Sequence, residues 1–154
     1  MEIFKFGGAS VKDAAGVKNV LEVLKTVGHE NVLLVISAMG KTTNALEIVI
    51  KNYFDKSNEL YASLQDIRKY HNQILLDLFE DEEHEVFFDV NAHFDDLEYF
   101  VRSNKSPNYP FVYDQIISIG ELVSTTIVSH YLNFSSISNQ WLDVRQYIKT
   151  DNNY

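Results

Sequence analysis

Two adjacent glycines, Gly7 and Gly8, stand between a short apolar run and the start of a helical pattern, and this placement restricts the fold more than any other feature of the chain. Met1 to Phe6 alternates and is rich in β-formers, the glycines end it, and Asp13 is placed to cap a helix opening at Ala14. Ala14, Val17, Val20, Leu21, Leu24 and Val27 recur at helical spacing, and Gly28 stops the run. Val32-Leu33-Leu34-Val35-Ile36 is short and continuously apolar, which predicts a strand buried on both faces. Strand, helix and strand in this order predict a right-handed parallel βαβ unit. Ser37-Ala38-Met39-Gly40 then leaves the second strand at the same edge as the glycine pair, and Thr42 or Thr43 is expected to cap a second helix carrying Leu46, Val49 and Ile50.

From Ser57 to about Phe79, and again from Val86 to Val101 after the acidic turn Glu80-Asp81-Glu82-Glu83, apolar residues keep a helical period; a helical hairpin over about 57–103 is predicted. Asn104 to Pro110 reads as a loop. Val112, Ile116, Ile119, Leu122, Val123, Ile127 and Tyr131 form a largely buried helix, and a short third strand is expected near Ile137 to Leu142, ahead of Asp143-Val144-Arg145. The fold class is α/β, a three-layer αβα arrangement with a mainly parallel sheet and an inserted helical hairpin.

With 154 residues, 45% hydrophobic and 23% charged, the chain has enough material for one domain with a real core. Its net charge of −9 opposes attraction to nucleic acid or anionic membranes, so a bound phosphate must be held by local geometry, as in a small ligand. The absence of cysteine removes disulfides, thiolate nucleophiles and Cys-ligated zinc. The N-terminus lacks a signal-peptide pattern and no apolar run is long enough to span a membrane, so a cytoplasmic location is expected.

The stretch Lys5-Phe6-Gly7-Gly8-Ala9-Ser10 has two readings: a phosphate cradle with close backbone approach and a lysine charge, or a tight turn with a surface lysine. Gly40-Lys41-Thr42 resembles the end of a P-loop, but the glycine required five residues before Gly40 is Val35, inside the strand, so a Walker-type site is excluded. No G-x-G-x-x-G or G-x-S-x-G pattern occurs, which removes support for dinucleotide folds, eukaryotic-type protein kinases and serine hydrolases. Ser37, Thr43 and Asn44 are either ligand donors or turn and cap residues. Glu121, among apolar residues in Ser118-Ile119-Gly120-Glu121-Leu122-Val123-Ser124, needs a cation: a substrate ammonium, or an internal partner such as Arg145. The five histidines lack metal-ligand spacing and are expected to be surface or partly buried structural residues.

Taken together, Lys5 to Val11, Ser37 to Asn44, Ser118 to Ser124 and Trp141-Leu142-Asp143-Val144-Arg145 resemble the aspartokinase branch of the amino-acid kinase family, with the motifs in the family's order over nearly the whole chain. Ala9 stands where the family usually has threonine. The resemblance implies a carbamate kinase-like fold and transfer of the ATP γ-phosphoryl group to the side-chain carboxylate of L-aspartate, with Mg2+ on the nucleotide. Such an acceptor is already ionised at neutral pH, so the protein must mainly align two anions and neutralise their charge. By similarity, Lys5, the catalytic candidate, would hold the phosphates with Phe6, Gly7, Gly8 and Ser10. Ser37, Thr43 and Glu121 would hold aspartate, Glu121 meeting its ammonium. The resemblance assigns no role to Asp143 or Arg145.

In the family the kinase domain continues with a second half that holds adenine and the substrate α-carboxylate, followed by ACT domains. Residues 1–154 therefore read as the N-terminal part of such a domain. Low activity is expected of the chain alone, because losing one charge-stabilising donor costs on the order of a hundredfold in rate. The stop after a third strand would leave an open sheet edge, so a homo-oligomer or a longer protein is expected. Two other readings stay open at this point: a non-catalytic binding or assembly module, and a kinase of the glutamate type.

Overall fold

The computed structural model describes residues 1–148. Strand β1 (Glu2–Phe6) runs into a 3-10 turn (Gly8–Val11) and helix α1 (Ala14–Val27), and strand β2 (Val32–Ile36) follows. Helix α2 (Thr42–Phe54), the hairpin of α3 (Leu60–Leu78) and α4 (Glu85–Ser103), the long helix α5 (Tyr109–Phe134) and a 3-10 turn at Val144–Gln146 complete the order. The two strands pair in parallel, with Ile3 opposite Leu33 and Lys5 opposite Val35.

Local signals set most boundaries. Asp13 accepts from Gly16 N–H at 2.8 Å and so satisfies an orphan amide at the start of α1. Gly28 ends that helix with φ 99°, a conformation that costs a side chain little only when the side chain is absent. Asn108 caps α5 by accepting from Phe111 N–H at 3.1 Å, and Pro110 sits in the first turn, so the preceding loop ends two residues before Pro110.

Phe4, Phe6, Val32 and Leu34 pack against the helices, and Ile36 belongs to the core. The alternate residues Ile3, Leu33 and Val35 stay 61%, 38% and 43% exposed. The expectation that Val32–Ile36 is buried on both faces is therefore corrected: among the described residues helices cover one face of the sheet, and period-two side chains separate accordingly. Nor does a third strand form near Ile137–Leu142. Ile137 is buried and donates its N–H to Leu132 O at 2.8 Å, and the Asn139 amide spans Ser129 O and Ile137 O, so this segment closes back on α5 instead of joining the sheet. Asp151 to Tyr154, where the end of the chain was expected to bear on the fold, lie outside the described residues.

The predicted hairpin is present, and α3 packs on α2 and α4. Helix α5 is long and apolar enough to cross a membrane by length and composition, but its place is the core, between α2 and α4. His71, expected to be a surface or partly buried structural residue, is completely buried on the Leu64, Ile67, Ile74 face of α3. Its Nδ1 lies 2.8 Å from Ile67 O. Burial is the main cause that brings its pKa down to about 4, against a smaller opposing effect of the Ile67 carbonyl.

This histidine predicts an acid-sensitive fold. An unfolded histidine takes a proton near pH 6.5, while the folded one stays neutral until about pH 4. Between these values the unfolded chain binds the extra proton, so stability falls as pH drops through this window, by about 3 kcal/mol in full. Urea denaturation at pH 7 and pH 4.5 is expected to show the loss, and His71→Leu is expected to flatten it.

Candidate active site

The turns after β1 and β2 are joined backbone to backbone. Ser37 N–H donates to Phe6 O at 3.0 Å, continuing the ladder beyond the strands, and Gly40 N–H donates to Gly8 O at 2.9 Å. A Cβ on Gly8 would stand 2.5 Å from Ala38 O, closer than real side chains approach a carbonyl, and 3.1 Å from Gly40 O. Gly8 is thus required by the contact between turns. Gly7 is required by neither packing nor conformation: its φ is −78°, and a Cβ there would meet nothing within 4 Å. The space above Gly7 is open to a ligand, while the space at Gly8 is filled by the second turn.

Helix α5 meets the same place. A Cβ on Gly120 would lie 2.9 Å from Ala38 Cβ and 3.3 Å from Leu46 Cδ1, so the missing side chain admits the second turn against the helix. One residue on, Glu121 Oε1 accepts from Ala38 N–H at 3.4 Å. Glu121 is exposed and not buried as expected. It belongs to a polar stripe of Ser118, Glu121, Thr125 and Ser129 along a helix otherwise sunk in the core, and this stripe is where the neighbouring segments attach. Trp141 Nε1–H donates to Thr125 Oγ1 at 2.9 Å, and Ser129 Oγ donates to Asn139 Oδ1 at 2.6 Å.

The remaining candidates take their positions from these contacts. Lys5 lies on the open face of β1, opposite Val35, with its side chain exposed and in no ion pair with any described residue. Phe6 turns the other way and packs on the core. Ser10 is exposed, its N–H closing the glycine turn on Gly7 O at 2.9 Å. Ser37 is half-buried at the end of β2, and Thr43 is exposed in the first turn of α2. Neither Thr42 nor Thr43 caps α2, since the N-cap is Lys41; Thr42 is buried and its hydroxyl donates to Met39 O at 2.6 Å. Asp143 caps the last 3-10 turn and holds Arg145 through paired contacts of 2.9 and 2.7 Å. The Arg145 hydrogen bonds are the main cause that keeps the Asp143 carboxyl below its usual range.

A cavity of about 680 Å³ lies between α2 and α3, lined in part by Lys12, Lys41, Thr42, Asp66 and Tyr70. It adjoins the second turn but does not include Lys5, Ser37, Thr43 or Glu121. Two structural contributors had little sequence signal. Gly120 carries only the general signal that a glycine inside a helix commonly marks close packing. Tyr70 stands on the polar face of α3 and contacts residues far away in sequence.

A sequence model of the amino acid kinase family matches residues 1–154. The chain belongs to this family. Its relatives include the bifunctional aspartokinase/homoserine dehydrogenase 2 of Escherichia coli K12, 26% identical over 97% of this chain and 18% of that protein. The aspartokinase of Chlamydia trachomatis is 26% identical over 99% of this chain and 32% of its own length. Chloroplastic aspartokinase 1 of Arabidopsis thaliana is 29% identical over 97% of this chain and 26% of its own length. A structure of E. coli aspartokinase III with lysine and aspartate superposes with a TM-score of 0.85 at 25% identity, over 99% of this chain and 33% of that one. The chain thus spans about a third or less of the length of these relatives. This likeness agrees with a two-stranded parallel sheet and its helices as an incomplete αβα kinase fold.

The two glycines separate in a stability measurement. Gly8→Ala is expected to destabilise the family member by about 1–3 kcal/mol in urea denaturation, because backbone must move to admit the methyl group. Gly7→Ala is expected to be neutral or slightly stabilising, by up to about 0.5 kcal/mol. Equal costs would contradict the packing described here.

Proposed function

We propose that this chain carries the phosphate- and aspartate-holding part of an aspartate kinase, in which the side-chain carboxylate of L-aspartate attacks the γ-phosphorus of ATP. A carboxylate oxygen–phosphorus bond forms, the bond from the γ-phosphorus to the β–γ bridging oxygen breaks, and the products are 4-phospho-L-aspartate and ADP. The single observation that carries this reading is the convergence of three motif segments at one edge of the parallel strands: Gly8 against Ala38 and Gly40, and Ala38 bonded to Glu121. Ligands of open α/β folds bind at the carboxyl ends of parallel strands, where both turns emerge.

The roles follow from charge and access. Lys5, exposed and without an ionic partner among the described residues, supplies a positive charge beside the open space at Gly7. The amides of Gly8 and Ala9 at the start of the 3-10 turn lack acceptors within it, as at any helical start, and with Gly7 and the Ser10 hydroxyl they face the phosphates, while Phe6 anchors the turn to the core. Glu121, on the exposed stripe of α5, meets the aspartate ammonium, and Ser37 and Thr43 supply hydroxyl donors. No general base is needed because the attacking carboxylate is ionised at neutral pH. Mg2+ would come with the nucleotide, as the family resemblance implies. The acyl phosphate product fits the opening step of lysine, threonine and methionine synthesis. The relatives named above are aspartokinases or bifunctional aspartokinases, and the E. coli aspartokinase III structure named with them holds aspartate. These favour aspartate over a glutamate-type acceptor and over a purely structural module.

The test is ligand-dependent stability. Mg-ATP at about 100 times its Kd is expected to add close to 2.7 kcal/mol to the unfolding free energy of the wild-type chain. Lys5→Ala is expected to remove most of that gain while leaving the ligand-free stability unchanged. Equal stabilisation of both proteins would overturn the role of Lys5.

A further inference from the structure

We propose that Tyr70 and His71, neighbours on α3 of the helical hairpin, are positioning residues that clamp the two turns of the site from behind. What those turns bind rests on the aspartate kinase reading above; the clamp itself rests on geometry. Gly40 has φ 55°, the left-handed region where a side chain is disfavoured, and a Cβ added there would lie 2.7 Å from Tyr70 Oη and 3.5 Å from Lys12 Cβ. The Tyr70 hydroxyl therefore lies against the second turn. The same hydroxyl donates to Lys12 O, at the end of the first turn. One oxygen atom thus lies against both turns.

His71 holds the second turn one step further along. Its Nδ1 faces the Ile67 carbonyl, which only accepts, so the ring proton sits on Nδ1 and Nε2 keeps its lone pair. Nε2 lies 3.4 Å from Thr42 Oγ1. That hydroxyl donates to Met39 O, which also accepts Thr42 N–H at 3.0 Å. With that proton on Met39 O, the Nε2 contact is packing and not a hydrogen bond, and through it the histidine backs the residue immediately before Thr43. The Tyr70 and His71 rings meet edge to face at 4.9 Å, so the two contacts move as one unit with α3. Through them the hairpin braces the paired turns, whose spacing the Gly40–Gly8 bond sets, and so holds the aspartate groups in place beside the phosphate groups.

Tyr70 is 37% exposed, so Tyr70→Phe keeps the ring packing and removes only the hydroxyl. Tyr61→Phe, the same change at a 46% exposed position of the same helix, is the control. In amide exchange followed by NMR, Tyr70→Phe is expected to speed exchange at Gly40 by about 3- to 10-fold, the range for losing one hydrogen bond, with Val123 in α5 unchanged. Aspartate affinity is expected to weaken by a similar factor, and Tyr61→Phe is expected to change neither quantity. The proposal is overturned if Gly40 exchange stays within about twofold of wild type, if Tyr61→Phe has the same effect, or if the acceleration extends evenly to Val123. It is also overturned if Gly40 loosens while aspartate affinity is unchanged. Should the wild-type chain bind no aspartate, the functional reading fails, and the exchange measurements still decide the clamp.

Discussion

The carbonyl oxygens of Ala38 and Gly40 come so close to the Cα of Gly8 that no side chain fits between them, and the placement of every candidate ligand group follows from that approach. Two parallel strands alone would present two separate turns. Because Gly40 N–H bonds to Gly8 O and Ser37 N–H to Phe6 O, the turns form one continuous surface that carries the strand ladder past the end of the sheet. The absence of a side chain at Gly120 then allows α5 to press on Ala38, which brings Glu121 to the same surface. Glycine appears at Gly8, Gly40 and Gly120 for three different reasons: backbone contact, a left-handed conformation and helix-to-loop packing. At Gly7 none of these applies, and there the missing side chain leaves room for a ligand.

The division of labour across the fold is clear from burial. The core-facing residues of β1 and β2 join a helical core that runs from α1 through α2 and α5 to the hairpin, while the opposite face of the sheet carries Lys5 beside exposed Ile3, Leu33 and Val35. A lysine on that open face stands in water, as the proposed role of meeting phosphate requires. The chain's overall negative charge of −9 makes this local exposure matter, since the global field repels the same anions. Segment Trp141 to Arg145, whose role the family resemblance left open, fastens to α5 one turn beyond Glu121 through the Trp141–Thr125 bond. Its Asp143–Arg145 pair is the local lock of the final turn.

What could be read from the sequence was what short-range chemistry decides. Asp13 acts on Gly16 three residues on, and Gly28 on Leu24 four residues back, so both ends of α1 follow from local rules. The glycine turns and the four motifs were legible because each is a contiguous stretch. The third strand was misread because Ile137 to Leu142 has strand-like apolar residues, while the Asn139 bonds that decide its path go to a helix ten residues back. Burial of β2 on both faces was inferred from its composition, which does not report whether anything covers the second face. Glu121 was misread in a recoverable way: Ser118, Glu121, Thr125 and Ser129 lie at helical spacing and mark a polar stripe in an otherwise apolar helix. The clamp by Tyr70 and His71 was not legible, because its partners Lys12 and Thr42 lie on other elements.

A 15N-resolved NMR titration of the wild-type chain, first with Mg-ATP and then with aspartate, tests most directly whether the joined turns are the ligand site. The expected result is that the largest nucleotide-induced changes fall on the amides of Gly7, Gly8 and Ala9, and the largest aspartate-induced changes on Ala38, Thr43 and Glu121. Changes confined to Ser63 and Asp66 in the cavity between α2 and α3, or no change with either ligand, would contradict it.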